Sequence, residues 1–262
     1  MDATLSPRLK TLVRIARAAG IVVMRHYQAG CDTRIKSDRS PVTDADEDAE
    51  KLILAELAAA YPGVPVVAEE EAAAGRVAQA GAHFFLVDPV DGTKEFVKRG
   101  GEFTVNIGEI RNGAPVSGVV LAPAIGRLFV GAVGEGAFEL SGDWSVGEGD
   151  QIKLRAIAAR APAADGLVAV SSRSHPDAKT DALLKTLPIK GNTNAGSSLK
   201  FCLVAAGEAD IYPRAGQTME WDTAAGHAVL AAAGGRMTTW DGAPFVYGKP
   251  EFRNSAFIAR GK

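Results

Sequence analysis

The sequence predicts an α/β protein in two lobes, an N-terminal α+β lobe over residues 1–145 and a C-terminal α/β lobe over residues 146–262. Three observations predict it. Two stretches of helical apolar spacing come first, a run of short strands separated by turns follows, and strands then alternate with helices to the end. A glycine-rich polar stretch, Ser141 to Gln151, parts the second pattern from the third and marks the lobe boundary.

Each element has its own signal. From Pro7 to Tyr27, Leu9, Leu12, Val13, Ala16, Ala19 and Val23 follow a helical period. A second helix starts near Asp44, runs through Leu52, Ile53 and Leu57, and stops at Tyr61-Pro62-Gly63. The two helices are expected to pack as neighbours. Val64 to Ala68 is a short apolar strand ending in Glu69-Glu70-Glu71, and Glu71 to Gly81 reads as a loop or short helix before strand His83 to Val87. Phe103 to Ile110, Val116 to Leu121, Leu128 to Val133 and Gly136 to Leu140, with turns at Asn112-Gly113 and Ile125-Gly126, form an antiparallel meander. Beyond the boundary, strands at Ile152–Ala158, Leu167–Ser171, Asp210–Tyr212 and Arg236–Trp240 alternate with helices at Pro176–Leu187, Ser197–Ala206 and Asp222–Ala233.

Composition narrows the function. The 262 residues are 47% hydrophobic and 23% charged, enough to bury a substantial core. With 29 basic and 31 acidic side chains the net charge is −2, which offers no field for a nucleic acid, and nothing indicates peripheral membrane association. Met1 to Lys10 has no apolar signal core and no run is long enough to span a bilayer, so a cytoplasmic location is expected. Two cysteines, Cys31 in a loop and Cys202 in an apolar helical pattern, support neither a disulfide framework nor a zinc site. The four histidines lack paired ligand spacing and read as surface or packing residues, His175 excepted.

The most informative segment is Asp88-Pro89-Val90-Asp91-Gly92-Thr93, directly after an apolar strand. Two carboxylates three residues apart suit a hard cation such as Mg²⁺. Pro89 forces extended backbone on Asp88 and turns the chain, so both carboxylates and the Val90 carbonyl can face one point. Gly92 lets the backbone approach an anion, and Thr93 adds a hydroxyl. Asp-Pro and Asp-Gly also mark ordinary turns, so partners elsewhere must decide.

Metal-assisted phosphate ester hydrolysis needs about three to five converging carboxylates. Glu69 at a strand end, Asp46 in a first helical turn and Asp222 at a helix start are suitably placed. Each has a bland alternative. Thr43-x-x-Asp46 fits a capping box as well as metal work, and the two can coexist. Asp222 alone would read as the N-cap of the last long helix. Acidic runs such as Glu69 to Glu71 are usually solvated, and Glu69 is favoured because it comes first after the strand.

Pro41-Val42-Thr43 with Asp46, Glu69-Glu70, Asp88 to Thr93, and Glu220-Trp221-Asp222-Thr223-Ala224-Ala225-Gly226 together resemble the inositol monophosphatase superfamily over nearly the whole chain. The resemblance implies a layered αβαβα sandwich and a Mg²⁺-dependent, lithium-sensitive phosphatase. It also raises the metal reading of Asp222 above the cap reading. Within the superfamily, Thr93-Lys94-Glu95-Phe96, Gly101 to Ile107, Ser172-Arg173-Ser174-His175, Gly196 to Cys202 and Tyr212-Pro213-Arg214 are similar to the bacterial 3′(2′),5′-bisphosphate nucleotidases. The implied reaction cleaves 3′-phosphoadenosine 5′-phosphate to AMP and phosphate, a step of sulfur metabolism.

By the resemblance, Glu69, Asp88 and the Val90 carbonyl hold one Mg²⁺, and Asp88, Asp91 and Asp222 hold a second. Glu69 and Thr93 would position and deprotonate the attacking water, with Asp46 supporting Thr93 or a looser third ion. Gly92 and Thr93 would offer N–H groups to the phosphate, which Asp91 and Asp222 also border. Ser197, Lys200 and Arg214 would meet the second phosphate and His175 the nucleoside; a substrate with two phosphates needs cations away from the metals. Read without the resemblance, Lys200 is a solvated helix residue and Arg214 a turn residue. Glu220 would approach a sugar hydroxyl or lie on the surface.

The expected partner is thus a small phosphorylated nucleotide, bound by a monomer or homodimer. An inositol or sugar phosphatase shares the metal machinery and is the sibling reading. A binding protein without turnover is the reading of another class, opposed by the intact acidic series. All of it requires Glu69 and Asp222 to lie far closer than about 10 Å to Asp88 and Asp91.

Overall fold

The computed structural model describes residues 4–30, 32–35, 41–142, 144, 153–173 and 177–262. Chain order begins with α1 (Pro7–Ala29), β1 (Thr33–Ile35), β2 (Pro41–Thr43), α2 (Asp44–Ala60), β3 (Val66–Ala68), α3 (Glu69–Ala73), β4 (His83–Asp91) and α4 (Thr93–Val97). The meander is β5 (Thr104–Arg111), β6 (Ala114–Ala122), β7 (Arg127–Ala132), β8 (Gly136–Ser141) and β9 (Lys153–Ile157). Then come β10 (Leu167–Ser172), α5 (Ala178–Lys185), β11 (Ile189–Ala195), α6 (Leu199–Ala205), β12 (Ile211–Arg214), α7 (Ala224–Ala232), β13 (Arg236–Thr239) and β14 (Phe257–Arg260).

Local chemistry sets the helix ends. The Ser6 hydroxyl accepts the Leu9 N–H at the start of α1, Pro7 occupies the first turn, and Gly30 ends the helix at a φ of 83°. At the start of α2 the Thr43 N–H and hydroxyl both donate to Asp46 Oδ2, at 2.8 and 2.6 Å.

Seven strands form one sheet in the order β3-β4-β5-β6-β7-β8-β9, parallel between β3 and β4 and antiparallel thereafter. Five form another in the order β11-β10-β12-β14-β13. Apolar residues alternate to both faces of the larger sheet: in β6, Val119 and Leu121 join the core with α1 and α2, while Val120 joins the core with α6 and α7. That second core also takes in Val170, Tyr212 and Phe257 of the smaller sheet, whose outer face packs Ala169, Ile211 and Ile258 against Leu183 and Leu184 of α5. The layers therefore run α, β, α, β, α, as expected.

Three glycines seat α7 on the larger sheet. Gly108, Gly118 and Gly131 are in register across β5, β6 and β7. A Cβ at Gly118 would lie 2.7 Å from the Ala225 carbonyl oxygen, and one at Gly108 2.7 Å from Ala224 Cβ. Side chains are absent on this line so that an alanine-faced helix can lie directly on the strands.

Several expectations are corrected. The strand expected at Ile152–Ala158 as the opening of the C-terminal lobe pairs with β8 and completes the larger sheet, because Lys153 to Ile157 match Ser141 to Ala137 in register. Helix α7, from the C-terminal half, likewise packs on the N-terminal strands. The chain position 145/146 lies outside the described residues. Strands β11 and β14 were not anticipated; β11 has an exposed polar pattern, and β14 is four residues long. Cys202 is fully buried, as its apolar setting suggested, while Cys31 and His175 lie outside the described residues. Among the described residues no helix is long and apolar enough to cross a membrane.

The close seat of α7 gives a first prediction. Gly118→Ala is expected to destabilise the fold by about 1–3 kcal/mol through overpacking. Gly81, with nothing within 4 Å of an added Cβ, serves as the control, and Gly81→Ala is expected to stay within about 0.5 kcal/mol. Urea unfolding midpoints measure both; equal midpoints would remove the close-approach argument.

Candidate active site

A bulge in β4 converts the Asp88–Asp91 spacing into a shared site. Side chains three apart on a regular strand point to opposite faces. Here Asp88 pairs with Asn106 and Asp91 with Thr104, so Pro89 and Val90 together oppose Val105 alone. The extra residue returns both aspartates to one side, and proline is tolerated because a bulge leaves its missing N–H unneeded. The strand thus continues to Asp91 instead of ending at Val87.

Three of the predicted carboxylates meet. One carboxylate oxygen from each of Glu69, Asp88 and Asp222 lies within 4.8 Å of the others. Glu69 opens α3, and the buried Glu50 of α2 holds that opening by accepting the Glu70 and Glu71 N–H groups, each at 2.8 Å. Of the same acidic run, Glu71 pairs outward with Arg76 at 2.7 Å. Asp88 Oδ1 accepts the Val90 N–H at 3.0 Å. Asp222 sits in a short turn before α7, and its Oδ2 accepts the Met219 N–H at 2.7 Å. Thr223, not Asp222, is the residue that starts α7.

Asp91 stands beside this cluster. Its Oδ2 accepts the N–H and hydroxyl of Ser198, at 2.7 and 3.0 Å, and the same hydroxyl lies 2.6 Å from the Asp222 carbonyl oxygen. Thr93 Oγ1 lies 3.2 Å from the Val90 carbonyl oxygen and 3.3 Å from Asp46 Oδ1. Asp46 therefore serves the helix cap through one oxygen and reaches Thr93 through the other. Gly92 adopts a φ of 89°, and a Cβ there would lie 2.3 Å from Ser197 Oγ.

These groups open on a cavity of about 260 Å³ whose wall includes Glu69, Asp91, Gly92, Thr93, Ser197, Lys200, Arg214 and Asp222. Lys200 is buried, with its ammonium donating to the Ser197 carbonyl at 2.7 Å and the Ala195 carbonyl at 3.3 Å. It is not the solvated helix residue that its position alone suggested. Arg214 Nε lies 3.3 Å from the Gly216 carbonyl oxygen. Glu220 departs from both expectations: it is fully buried and accepts the Gly248 and Lys249 N–H groups, besides pairing with Lys249 Nζ at 2.7 Å.

Electrostatics mark the acidic end as incomplete without a cation. Burial first, and then the charges of Glu69, Asp91, Asp222 and Asp46, hold the Asp88 carboxyl well above the ordinary range. Burial and the charges of Asp91 and Glu69 do the same to Asp222. Asp91 is raised by burial although Lys200 and Ser198 oppose the shift. Burial also lifts Glu50 to about 7 and lowers Lys200 to about 8, against the pull of Asp91. An all-oxygen donor set whose two aspartates, Asp88 and Asp222, have raised pKa values fits a divalent metal ion.

Sequence reasoning missed Glu50 and the roles of Asn106 and Ser198. Asn106 Nδ2 lies 3.0 Å from Ser198 Oγ and 3.4 Å from Asp91 Oδ2. Their signal is tertiary: each acts on a residue remote in the chain.

Fold and site together define a layered α/β protein with an acidic, metal-ready centre between two sheets. The chain belongs to the inositol monophosphatase family, whose model matches residues 4–260, and the family is metal-dependent. It is similar to the 3′(2′),5′-bisphosphate nucleotidase CysQ of Escherichia coli strain K12, with 44% identity over 252 residues covering 95% of this chain and 98% of that one. The protein of the same description from Haemophilus influenzae is 30% identical over 244 residues, covering 93% and 88%. Among solved structures, CysQ from Bacteroides thetaiotaomicron is 36% identical with a TM-score of 0.81, covering 97% of each chain. The extragenic suppressor protein suhB from Bartonella henselae is 27% identical with a TM-score of 0.78, covering 98% of this chain and 94% of that one.

The raised carboxyls carry a pH prediction. Their folded pKa values exceed the unfolded ones, so the stabilisation from bound protons is complete below the ordinary aspartate range and is lost as pH rises through the raised values. A divalent cation replaces those protons. At a cation concentration near 100 Kd the gain is about 2.7 kcal/mol, or roughly 5–10 °C in Tm. The gain is expected to be larger at about pH 7.5 than at about pH 5.5, and to shrink in Asp88→Asn. Thermal melts with Mg²⁺ or with chelator read it; a cation effect independent of pH and of Asp88 would contradict the site.

Proposed function

We propose that the protein is a Mg²⁺-dependent phosphomonoesterase that cleaves 3′-phosphoadenosine 5′-phosphate to AMP and phosphate by direct attack of water. One observation carries the reading: a single cavity has carboxylates of the acidic cluster, Glu69 and Asp222, and the two cations Lys200 and Arg214 in its wall. That arrangement suits a ligand with two separate phosphates. The bisphosphate nucleotidases that resemble the chain over nearly its whole length point to the nucleotide.

In this reading Glu69, Asp88, Asp91, Asp222 and the Val90 carbonyl would hold two Mg²⁺ ions, with Asp46 supporting Thr93 or a looser third ion. When bound, such ions supply charge neutralisation on the phosphoryl group and make water a stronger acid. The chain's own groups do the rest. The Thr93 hydroxyl donates towards Asp46 or the Val90 carbonyl, which leaves its lone pairs to accept from water, and Glu69 is the neighbouring acceptor for the released proton. Asp88 is buried and absent from the cavity wall, whereas Glu69 and Thr93 both belong to that wall. Ser197, Lys200 and Arg214 would bind the second phosphate, whose fixed place orients the 3′-ester for in-line displacement. No covalent phosphoenzyme is required.

Two substitutions test the reading against an inositol phosphatase of the same family. Lys200→Ala and Arg214→Ala are each expected to lower kcat/KM on 3′-phosphoadenosine 5′-phosphate by about 10- to 100-fold, and on inositol 1-phosphate by less than about threefold. Equal losses on both substrates would assign the cations to the shared machinery. Asp91→Asn is expected to abolish phosphate release; release that persists would remove Asp91 from the site, and a wild type that binds nucleotide without release would make the protein a binder.

A further inference from the structure

Glu102, in the loop between α4 and β5, is the N-terminal half's hold on the cationic end of the cavity. Its side chain is 19% exposed and reaches the segments that follow β10 and β11 of the smaller sheet. Glu102 Oε2 accepts the Gly196 N–H at 2.7 Å, and Oε1 pairs with Arg173 Nη2 at 3.1 Å. Its backbone carbonyl lies 2.8 Å from the Ser197 hydroxyl oxygen. The contact leaves no slack, since a Cβ at Gly196 would lie 2.4 Å from the Glu102 carbonyl oxygen.

The Ala195–Gly196 peptide is the link to Lys200. Its N–H points at Glu102 and its carbonyl accepts from the Lys200 ammonium, so a carboxylate and a cation grip opposite ends of one peptide group. Polarisation of that peptide by each charge strengthens the bond to the other. The Ser197 carbonyl, two residues on, takes the shorter Lys200 contact, and the Ser197 hydroxyl lies 2.7 Å from the Asp91 carbonyl oxygen and 2.8 Å from that of Glu102. Ser197 holds a φ of 53°, a conformation that a serine keeps only where its surroundings fix it.

We infer that Glu102 is a positioning residue: by fixing the Ala195–Gly196 peptide through its carboxylate it sets where the Lys200 ammonium stands, and so sets the preference for substrates carrying a second phosphate. This deepens the proposed function and rests on it. The Glu102 side chain touches neither the reacting ester nor the acidic cluster, and the group it does bind, the Ala195–Gly196 peptide, is the one that Lys200 donates to.

The test compares 3′-phosphoadenosine 5′-phosphate with adenosine 3′-phosphate, which has the same scissile ester and no second phosphate. Glu102→Ala is expected to raise KM and lower kcat/KM for the bisphosphate by about tenfold or more, with kcat/KM on adenosine 3′-phosphate changed by less than about threefold. Glu102→Gln keeps an acceptor for the Gly196 N–H and is expected to retain most of the preference. Glu102→Asp, one methylene too short to reach Gly196, should lose it as the alanine variant does, and stands in if that variant does not fold. Equal loss on both substrates, or no loss on either, would overturn the positioning role; so would a glutamine variant as impaired as the alanine one. A wild type with no preference for the bisphosphate would overturn the nucleotidase reading and this inference with it, whereas a wild-type preference that Glu102→Ala and Glu102→Asp both keep would overturn the inference alone.

Discussion

Crowding of carboxylates at one point is the constraint on which the structure turns. Two unit charges 4.8 Å apart repel by about 3–4 kcal/mol at an effective dielectric of 20, and the three oxygens of Glu69, Asp88 and Asp222 make three such pairs. No flexible chain would hold them there. Each is carried instead on a separate element with its own hydrogen bonds: Glu69 on a helix start held by Glu50, Asp88 on a bulge closed by the Val90 N–H, and Asp222 on a turn closed by the Met219 N–H. The repulsion is thereby transmitted to the scaffold, and a cation that relieves it stabilises the whole fold.

The scaffold meets that demand by not keeping its halves apart. Helix α7 carries Asp222 from the C-terminal half but lies on the larger sheet, along the line of Gly108, Gly118 and Gly131. Strand β9 crosses in the same sense by completing that sheet. Asp222 is therefore held close to Asp88 by a helix whose alanines rest directly on the glycine backbone of the strands. A larger residue on the track would lift the helix, and the metal-ready cluster with it.

How much of this was legible in the sequence depends on the range of each interaction. The Asp88–Asp91 pair, the Thr43–Asp46 cap and the ends of α1 and α2 follow from neighbours within a few residues, and the chain displays them directly. The bulge is not displayed, because it is defined only by what Val105 faces on the next strand. Glu50, Ser198 and Glu102 look like ordinary polar residues until α3, Asp91 and Gly196 are brought to them from elsewhere. Glu220 misled for the same reason. The resemblance implied a sugar hydroxyl for it, or else the surface, yet the Gly248 and Lys249 N–H groups, remote in sequence, claim its carboxylate. The glycines of the α7 track are scattered through a meander where each alone reads as a weakness in a strand.

The placement of Lys200 follows from the same electrostatics. A buried ammonium is costly unless it is paired, and burial does lower its pKa, to about 8. What keeps it protonated is Asp91, which also anchors Ser198, together with the carbonyls of Ala195 and Ser197. On the proposed reading the pocket therefore alternates in sign from its acidic floor, through cations bound there, to phosphate, and on to Lys200 and Arg214. A ligand with one phosphate satisfies the floor and leaves the far cations to water. A ligand with two completes the alternation, and discrimination then comes less from shape than from unmatched charge at one end of the cavity.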